Sequence, residues 1–325
     1  MFEESYILLL AGGFILLLAG GEFLVRGAVS LASSLRVSTL VIGVTVVSLG
    51  TSAPELVVSV SAVLKGHHGI ATGNVIGSNI ANIGLVLGVT VLIMPVVVNS
   101  RKLLVSWGVM MAVTLLLLLF LLDGTLSGRE GGVLLLILAL FIFFSMRASR
   151  RSDGIKSGDL PVAGYSIPLA VLITILSCIS LALGARLLID GASGIARVIG
   201  VSERLISVSV VAFGTSLPEL VTSAVAAVRR QTDISIGNIL GSNIFNVLIV
   251  MGAASVVRDI NIPDRIVDFD MLWCIGLSLV LLFLVMPPGR IRLGRFRGAL
   301  LLAIYISYIL FAFLGERVPL PDSPV

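Results

Sequence analysis

Apolar stretches of membrane-crossing length recur along the whole chain, and they restrict its fold more than any other feature. Of the 325 residues, 57% are hydrophobic and only 12% are charged, which is more apolar surface than a soluble domain can bury. A helix needs about 20 apolar residues to cross a bilayer. The stretches are continuous rather than alternating, which excludes a transmembrane β-barrel. The sequence therefore predicts an all-α polytopic membrane protein.

Ten such stretches, separated by short connectors, divide the chain. The predicted spans are residues 5–32, 38–64, 69–95, 101–122, 130–147, 165–196, 204–229, 233–257, 268–287 and 297–315. The most polar connector separates five spans from five. We therefore expect a first five-helix repeat in residues 1–147, a central linker in 148–164 and a second five-helix repeat in 165–325.

Two short polar motifs occur twice, with one constant offset. Residues 50–56 read GTSAPEL and residues 214–220 read GTSLPEL, while GNVIGSNIAN at 73–82 returns as GNILGSNIFN at 237–246. The offset is 164 in both cases, and 13 of the 17 paired positions are identical. Unrelated residues match at about one position in fifteen, so the chain contains a duplication. Two copies of an odd number of spans lie in opposite orientations, which is the inverted-repeat plan of secondary transporters.

The Lys and Arg residues of the loops indicate the orientation. With the N-terminus outside, the predicted cytoplasmic loops carry 13 of these residues and the outer loops carry 7. Basic residues accumulate in cytoplasmic loops. We therefore expect a multi-pass protein of the cell (inner) membrane with both termini outside and a cytoplasmic linker.

The Gly-Thr-Ser-x-Pro-Glu motif places a helix break and a carboxylate inside an apolar span. Pro54 removes the hydrogen bond to the carbonyl of Gly50, and Pro218 does the same for Gly214. Such breaks persist at membrane depth only where they are buried or line a cavity. Freed carbonyls, hydroxyls and carboxylates are hard oxygen ligands, which suit Na⁺ and Ca²⁺. The two motifs offer Thr51, Ser52, Glu55, Thr215, Ser216 and Glu219.

The second motif forms a polar stripe along one helix face. Asn74, Ser78 and Asn82 are four residues apart, and the copy has Asn238, Ser242 and Asn246. These side chains either bind ions or only hold helices together by hydrogen bonds. The carboxylates of Glu55 and Glu219 are more informative, because an acid inside a membrane is costly and marks a functional site.

A third pair of equivalent positions carries charged residues, with the acid and the base exchanged between the two copies. The offset of 164 matches Glu22 to Arg186 and Arg26 to Asp190, so each copy has an i, i+4 ion pair in the opposite order. The two charges of each pair either neutralise each other or anchor two mobile helices against the core. A contact between the two pairs is a further alternative.

At these motifs the chain resembles the calcium/cation antiporter superfamily, specifically the prokaryotic sodium/calcium exchangers. The resemblance implies exchange of Na⁺ for Ca²⁺ by alternating access, with the first and sixth helices sliding across a core of the second, third, seventh and eighth. It implies Glu55 and Glu219 as carboxylate ligands. The other implied ligands are Thr51, Ser52, Thr215, Ser216, Ser78, Asn82, Ser242 and Asn246, with backbone carbonyls near Ser48 and Ala212.

Asn246 departs from part of this superfamily, whose potassium-dependent members typically have an acid there. We therefore expect K⁺-independent transport with two core carboxylates. The resemblance suggests three Na⁺ per Ca²⁺, which makes the exchange electrogenic. A proton/calcium antiporter is the main alternative and a cation channel a weaker one. We expect no enzymatic activity, no cofactor, no nucleic acid and no obligatory protein partner. The expected partners are Na⁺, Ca²⁺ and the lipid bilayer.

Overall fold

The computed structural model describes residues 2–151, 164–199, 212–286 and 289–315, and most of these residues are helical. Eight of the described helices are long and apolar enough to cross a membrane, and α2 with α3 gives a ninth span, bent by 45°. In chain order, the helices are α1 Phe2–Leu35, α2 Thr39–Thr51, α3 Ala53–Leu64, α4 His68–Ile93, α5 Ser100–Leu121, α6 Gly128–Arg151, α7 Ile167–Val198, α8 Ala212–Thr215, α9 Leu217–Val228, α10 Thr232–Val257, α11 Ile266–Val285 and α12 Arg295–Gly315.

Nine of the ten predicted spans have a described counterpart of membrane-crossing length. The predicted span 204–229 is described only from residue 212 onwards, as α8 and α9, because residues 200–211 lie outside the described part. Residues 152–163 of the predicted linker also lie outside it. The count of ten spans and the division at the linker therefore stay predictions.

Two short antiparallel ribbons correct the all-α prediction. Strand β1 Val96–Asn99 pairs with β4 Arg290–Leu293, and β2 Thr125–Leu126 pairs with β3 Ile260–Asn261. Strands of two to four residues between helices are too short to show a periodicity in the sequence. Each ribbon joins a loop from the first half of the chain to a loop from the second half.

Helices α1 and α7 lie side by side and cross at glycines. A Cβ atom at Gly13 would lie 2.8 Å from the carbonyl oxygen of Gly184, and one at Gly184 would lie 2.9 Å from that of Gly13. The Ser180 hydroxyl donates to the carbonyl of Leu16 at 2.9 Å. The buried apolar side chains of α1 and α7 belong to a cluster separate from the larger one around α4, α5, α10 and α11. This second cluster also contains buried side chains of α2, α9 and α10, so the α1–α7 pair packs against these helices.

The most buried spans are α4 and α10, at the centre of the larger cluster. Helix α10 approaches α2 closely, because a Cβ atom at Gly237 would lie 2.7 Å from the carbonyl oxygen of Leu40. The π-helical turns Asn82–Leu87 and Asn246–Met251 interrupt α4 and α10 at positions 164 apart. Since π turns often mark functional positions, these two direct attention to the start of each turn.

Candidate cation site

Both Gly-Thr-Ser-x-Pro-Glu motifs form a helix break followed by a new helix. Ser52 has φ −83° and ψ 4°, and Pro54 lies in the first turn of α3. Ser216 has φ −87° and ψ 3°, and Pro218 lies in the first turn of α9. Proline cannot donate to the preceding turn, so the helix stops before it. Each break places a glutamate in the first turn of the following helix, where the helix dipole favours negative charge.

The two glutamates are completely enclosed. The exposed fraction is 0% for Glu55 and 1% for Glu219, and none of their four carboxylate oxygens has a hydrogen-bond partner among the described residues. The buried oxygens without a partner also include those of Ser52, Ser216, Asn82 and Asn246. Leaving one buried polar group unpaired costs about 1–3 kcal/mol, and a charged group costs more. Eight such oxygens at predicted ligand positions indicate groups arranged for a cation.

The two motifs converge on one location. The carboxylates of Glu55 and Glu219 lie close enough to interact electrostatically. The hydroxyls of Thr51 and Ser52 lie beside the Glu219 carboxylate, without the geometry of a standard hydrogen bond. Hydroxyls from the first motif thus face the acid of the second motif, and two carboxyl groups share one buried site.

Thr51 links the first motif to α10. Its hydroxyl donates to Asn238 Oδ1 at 3.0 Å and lies 3.2 Å from the hydroxyl of Ser242. The Ser48 hydroxyl donates to the carbonyl of Gly43 at 2.8 Å and lies 3.0 Å from the carbonyl oxygen of Asn238. The structure therefore brings Thr51, Ser48 and Ser242 together at the α2–α10 interface.

The remaining predicted ligands lie on α4 and α8. Ser78 is buried and borders a cavity of about 160 Å³ between α4 and α12. Thr215 is buried at the end of α8. Ala212 begins α8 at the edge of the described residues.

Asn74 and Asn238 support the glutamate backbones from equivalent positions. Asn74 donates from Nδ2 to the hydroxyl of Ser59 at 3.0 Å and to the carbonyl of Glu55 at 3.4 Å. Asn238 makes the same two contacts with Ser223 and Glu219, at 3.0 and 3.4 Å. Both asparagines therefore hold the helix turn that carries the acid, and Asn238 also accepts from the Thr51 hydroxyl.

Asn79 and Asn243 are functional candidates that the sequence reasoning missed. Asn82 donates from Nδ2 to Asn243 Oδ1 at 3.0 Å, and Asn246 donates to Asn79 Oδ1 at 3.1 Å. With their amide nitrogens engaged, Asn82 and Asn246 keep their own Oδ1 atoms unpaired. The signal for this role was the repeated Gly-Ser-Asn-Ile-x-Asn motif, in which the two asparagines are three residues apart on one helix face.

The fold and the buried oxygen atoms together define the class of protein, a polytopic membrane protein that transports ions. Comparison with known families then gives the particular group. The family described as sodium/calcium exchanger protein matches residues 5–147 and 169–314, so this chain belongs to that family.

Individual relatives agree with this assignment. The chain is 33% identical to Inner membrane protein YrbG of Escherichia coli (strain K12), over 93% of this chain and 94% of the relative. It is 28% identical to Sodium/calcium exchanger MaX1 of Methanosarcina acetivorans, over 96% of this chain and 99% of the relative. A solved structure of the sodium-calcium exchanger NCX_Mj, soaked with zero Na⁺ and Ca²⁺, matches with a TM-score of 0.79 at 32% identity. That match covers 95% of this chain and 98% of the other. The resemblance to prokaryotic sodium/calcium exchangers is confirmed.

Proposed function

We propose that this chain exchanges Na⁺ for Ca²⁺ by alternating access, with Glu55 and Glu219 as the two charged ligands. The observation that carries the proposal is the set of buried carboxylate, hydroxyl and amide oxygens without hydrogen-bond partners. Oxygen ligands of this kind suit Ca²⁺ and Na⁺. The proposed ligand set is Thr51, Ser52, Glu55, Ser78, Asn82, Thr215, Ser216, Glu219, Ser242 and Asn246, with backbone carbonyls near Ser48 and Ala212.

Alternating access follows from the two halves of the chain, which we propose are inverted repeats in residues 1–147 and 165–325. Hydrogen bonds that recur at an offset of 164, such as those of Asn74 and Asn238, support this arrangement. Two inverted copies provide two exchangeable half-open states around one site. Both termini would lie outside, with the linker 148–164 in the cytoplasm, and the name of the Escherichia coli relative agrees with an inner-membrane location.

The charge of the site determines the electrical consequence. Two ionised glutamates contribute two negative charges, which one Ca²⁺ neutralises. Three Na⁺, the number that the family resemblance suggests, would leave about one positive charge. Exchange would then move net charge and couple to the membrane potential by about 2.3 kcal/mol per charge per 100 mV.

The coupling ion distinguishes the proposed function from its alternatives. Glutamates also carry protons, so a proton/calcium antiporter would use the same site. A channel would conduct without obligatory exchange. Asn246 occupies the position where potassium-dependent relatives typically have an acid, and its amide favours transport that does not require K⁺.

The test is ⁴⁵Ca²⁺ uptake into proteoliposomes loaded with Na⁺, with Na⁺ and K⁺, or with choline and a pH gradient. Equal uptake into vesicles loaded with Na⁺ and with Na⁺ plus K⁺, and no uptake into vesicles loaded with choline, supports K⁺-independent Na⁺/Ca²⁺ exchange. Stimulation of uptake by an inside-positive potential, which opposes Ca²⁺ entry as a cation but favours Na⁺ exit, supports electrogenic exchange. Uptake driven only by the pH gradient assigns the protein to the proton-coupled alternative.

A further inference from the structure

Three charged side chains connect the α1–α7 pair to α9. We name Glu22, Arg26 and Arg229 the Glu22 cluster. Arg26 Nε lies 2.7 Å from Glu22 Oε1. Arg229, at the C-terminal end of α9, binds the same carboxylate through Nη2 to Oε1 at 2.7 Å and through Nε to Oε2 at 2.9 Å. A two-point arginine–carboxylate pair is the strongest form of this contact. One acid on α1 thus binds a base on its own helix and a base on a core helix.

Next to this cluster, α1 packs directly on α9, but the equivalent surface of α3 is uncovered. A Cβ atom at Gly21 would lie 3.1 Å from Val221 Cγ1 and 3.5 Å from Val225 Cγ2. Val57, which is 164 positions before Val221, is 65% exposed. In the described part of the chain, α7 makes no extended contact with α3. The helix pair therefore covers this surface of α9 and leaves the surface of α3 around Val57 uncovered.

The equivalent positions in the other half of the chain, 164 residues away, carry a second set of charged side chains. Arg186 is equivalent to Glu22, Asp190 to Arg26 and Lys65 to Arg229, so each set has one acid and two bases. We name this second set the Asp190 cluster. Arg186 Nε lies 3.9 Å from Asp190 Oδ2, with exposed side-chain fractions of 80% and 57%. Lys65 is exposed at the end of α3, and no ion pair between described residues joins it to Asp190.

We propose that the two clusters are alternating contacts that hold the α1–α7 pair in two positions of the transport cycle. In the position seen here, α1 covers α9 and Glu22 binds Arg229. In the other position, α7 covers α3 and Asp190 binds Lys65. The inference rests on the proposed alternating-access function. The four residues are positioning residues, because they act on the helix pair and do not bind the transported ions.

The ion pair within each helix explains how both positions remain accessible. A charge inside a membrane span is costly unless it is paired. Each acid has a base four residues away on its own helix, so neither Glu22 nor Asp190 loses every partner when its core contact opens. The reversal places the acid four residues further along α7, a displacement of about 6 Å. The flexible side chain of Lys65 has to span that displacement, so we expect this contact to be weaker than the two-point contact of Arg229.

The first test measures how fast a cysteine on the uncovered surface of α3 reacts. Cys178 and Cys274 are first replaced by alanine, and Val57→Cys is introduced. A membrane-impermeant maleimide is applied from the side of Lys65. Glu22→Gln should slow labelling about fivefold, because it releases α1 and lets α7 cover α3. Asp190→Asn should leave labelling unchanged or make it faster.

Two further variants keep this test decisive. Arg229→Gln breaks the same contact from the core side and should also slow labelling, even if Glu22→Gln fails to fold. Asp268→Asn removes an acid from an exposed position of α11 and should leave the rate at that of the parent. Equal rates in the parent, Glu22→Gln and Arg229→Gln would overturn the proposal.

The second test is cross-linking with a short bis-thiosulfonate in the same cysteine-free background. Cysteines at positions 21 and 221, which leave both clusters intact, should cross-link rapidly, and cysteines at the equivalent positions 185 and 57 should cross-link slowly. Adding Arg229→Gln to the second pair should raise its yield about fivefold. Absence of any cross-link between positions 57 and 185 in every variant contradicts the proposal. Both tests work without ion flux, so a protein that shows these shifts but no Na⁺-driven ⁴⁵Ca²⁺ uptake would refute the proposed ion exchange alone.

Discussion

Asn79 and Asn243 donate hydrogen bonds to each other's main chain. Asn79 Nδ2 lies 3.3 Å from the carbonyl oxygen of Asn243, and Asn243 Nδ2 lies 3.3 Å from that of Asn79. Their Oδ1 atoms accept from Asn246 and Asn82. Each half of the chain therefore orients the proposed asparagine ligand of the other half. We therefore expect a change in either asparagine to affect both ligands.

Removing one of these amides should weaken ion binding. We expect Asn79→Ala or Asn243→Ala to raise the Ca²⁺ concentration for half-maximal ⁴⁵Ca²⁺ uptake about tenfold, because a buried hydrogen-bond partner is lost beside the site. Asn99→Ala is the matched control, since Asn99 caps α5 at an exposed end. An unchanged half-maximal concentration in both core variants would show that Asn79 and Asn243 do not position the ligands.

The buried carboxylates should make thermal stability depend on the ion. Neutralising a buried unpaired charge removes a folding cost, so Glu55→Gln or Glu219→Gln should raise the ion-free Tm by about 2 °C or more. Ca²⁺ at a hundredfold excess over Kd should stabilise the wild-type protein by about 2.7 kcal/mol. Neither variant should show that Ca²⁺-dependent rise.

The control for this prediction is Glu130→Gln. Glu130 lies at the start of α6, where its carboxylate accepts a hydrogen bond from the Ser127 hydroxyl. In sequence it is distant from both motifs. This variant should keep the full Ca²⁺-dependent rise in Tm. A Ca²⁺-dependent rise that persists in both core glutamate variants would place the ion elsewhere.

The sequence predicted the spans and the helix breaks because both depend on local chemistry. Long apolar runs are sufficient to indicate membrane helices. Pro54 and Pro218 are sufficient to predict a break beside Glu55 and Glu219, and the structure has one at each motif.

Other features depend on which helices become neighbours, and a single sequence does not contain that information. Glu22 has an obvious partner in Arg26, four residues away, but its two-point contact is with Arg229, 207 positions along the chain. The contact of Asn79 with Asn243 likewise requires α4 and α10 to cross at those residues. The ribbons of β1–β4 and β2–β3 also pair residues distant in sequence, in segments too short for any pattern.

The close approach of α2 and α10 should be sensitive to one methyl group. A Cβ atom at Gly241 would lie 2.5 Å from the carbonyl oxygen of Val44 and would also collide with the Ser48 hydroxyl. Gly241→Ala should therefore destabilise the protein by about 1–3 kcal/mol, measured as a lower Tm in detergent.

Gly276→Ala is the matched control for that substitution. Gly276 is exposed within α11, and a Cβ atom there would have no described atom within 4 Å beyond its own helix turn. Because alanine forms helices better than glycine by about 1 kcal/mol, this variant should keep or slightly raise the Tm. A Tm unchanged by Gly241→Ala would show that α2 and α10 separate without cost.

Adding a third carboxylate should change which ions the site accepts. Asn246 is fully buried at the start of a π-helical turn, and its Oδ1 has no partner among the described residues. Asn246→Asp would leave one negative charge uncompensated after Ca²⁺ binds, and a further monovalent cation would neutralise it. We therefore expect ⁴⁵Ca²⁺ uptake by this variant to increase several-fold with K⁺, whereas the wild-type protein should not respond.

Asn82→Asp adds the same charge at the equivalent position, so comparing the two variants shows whether the response depends on charge alone or on the side of the site that carries it. Uptake by Asn246→Asp that stays active and insensitive to K⁺ would contradict the assignment of Asn246 as the residue that makes transport K⁺-independent.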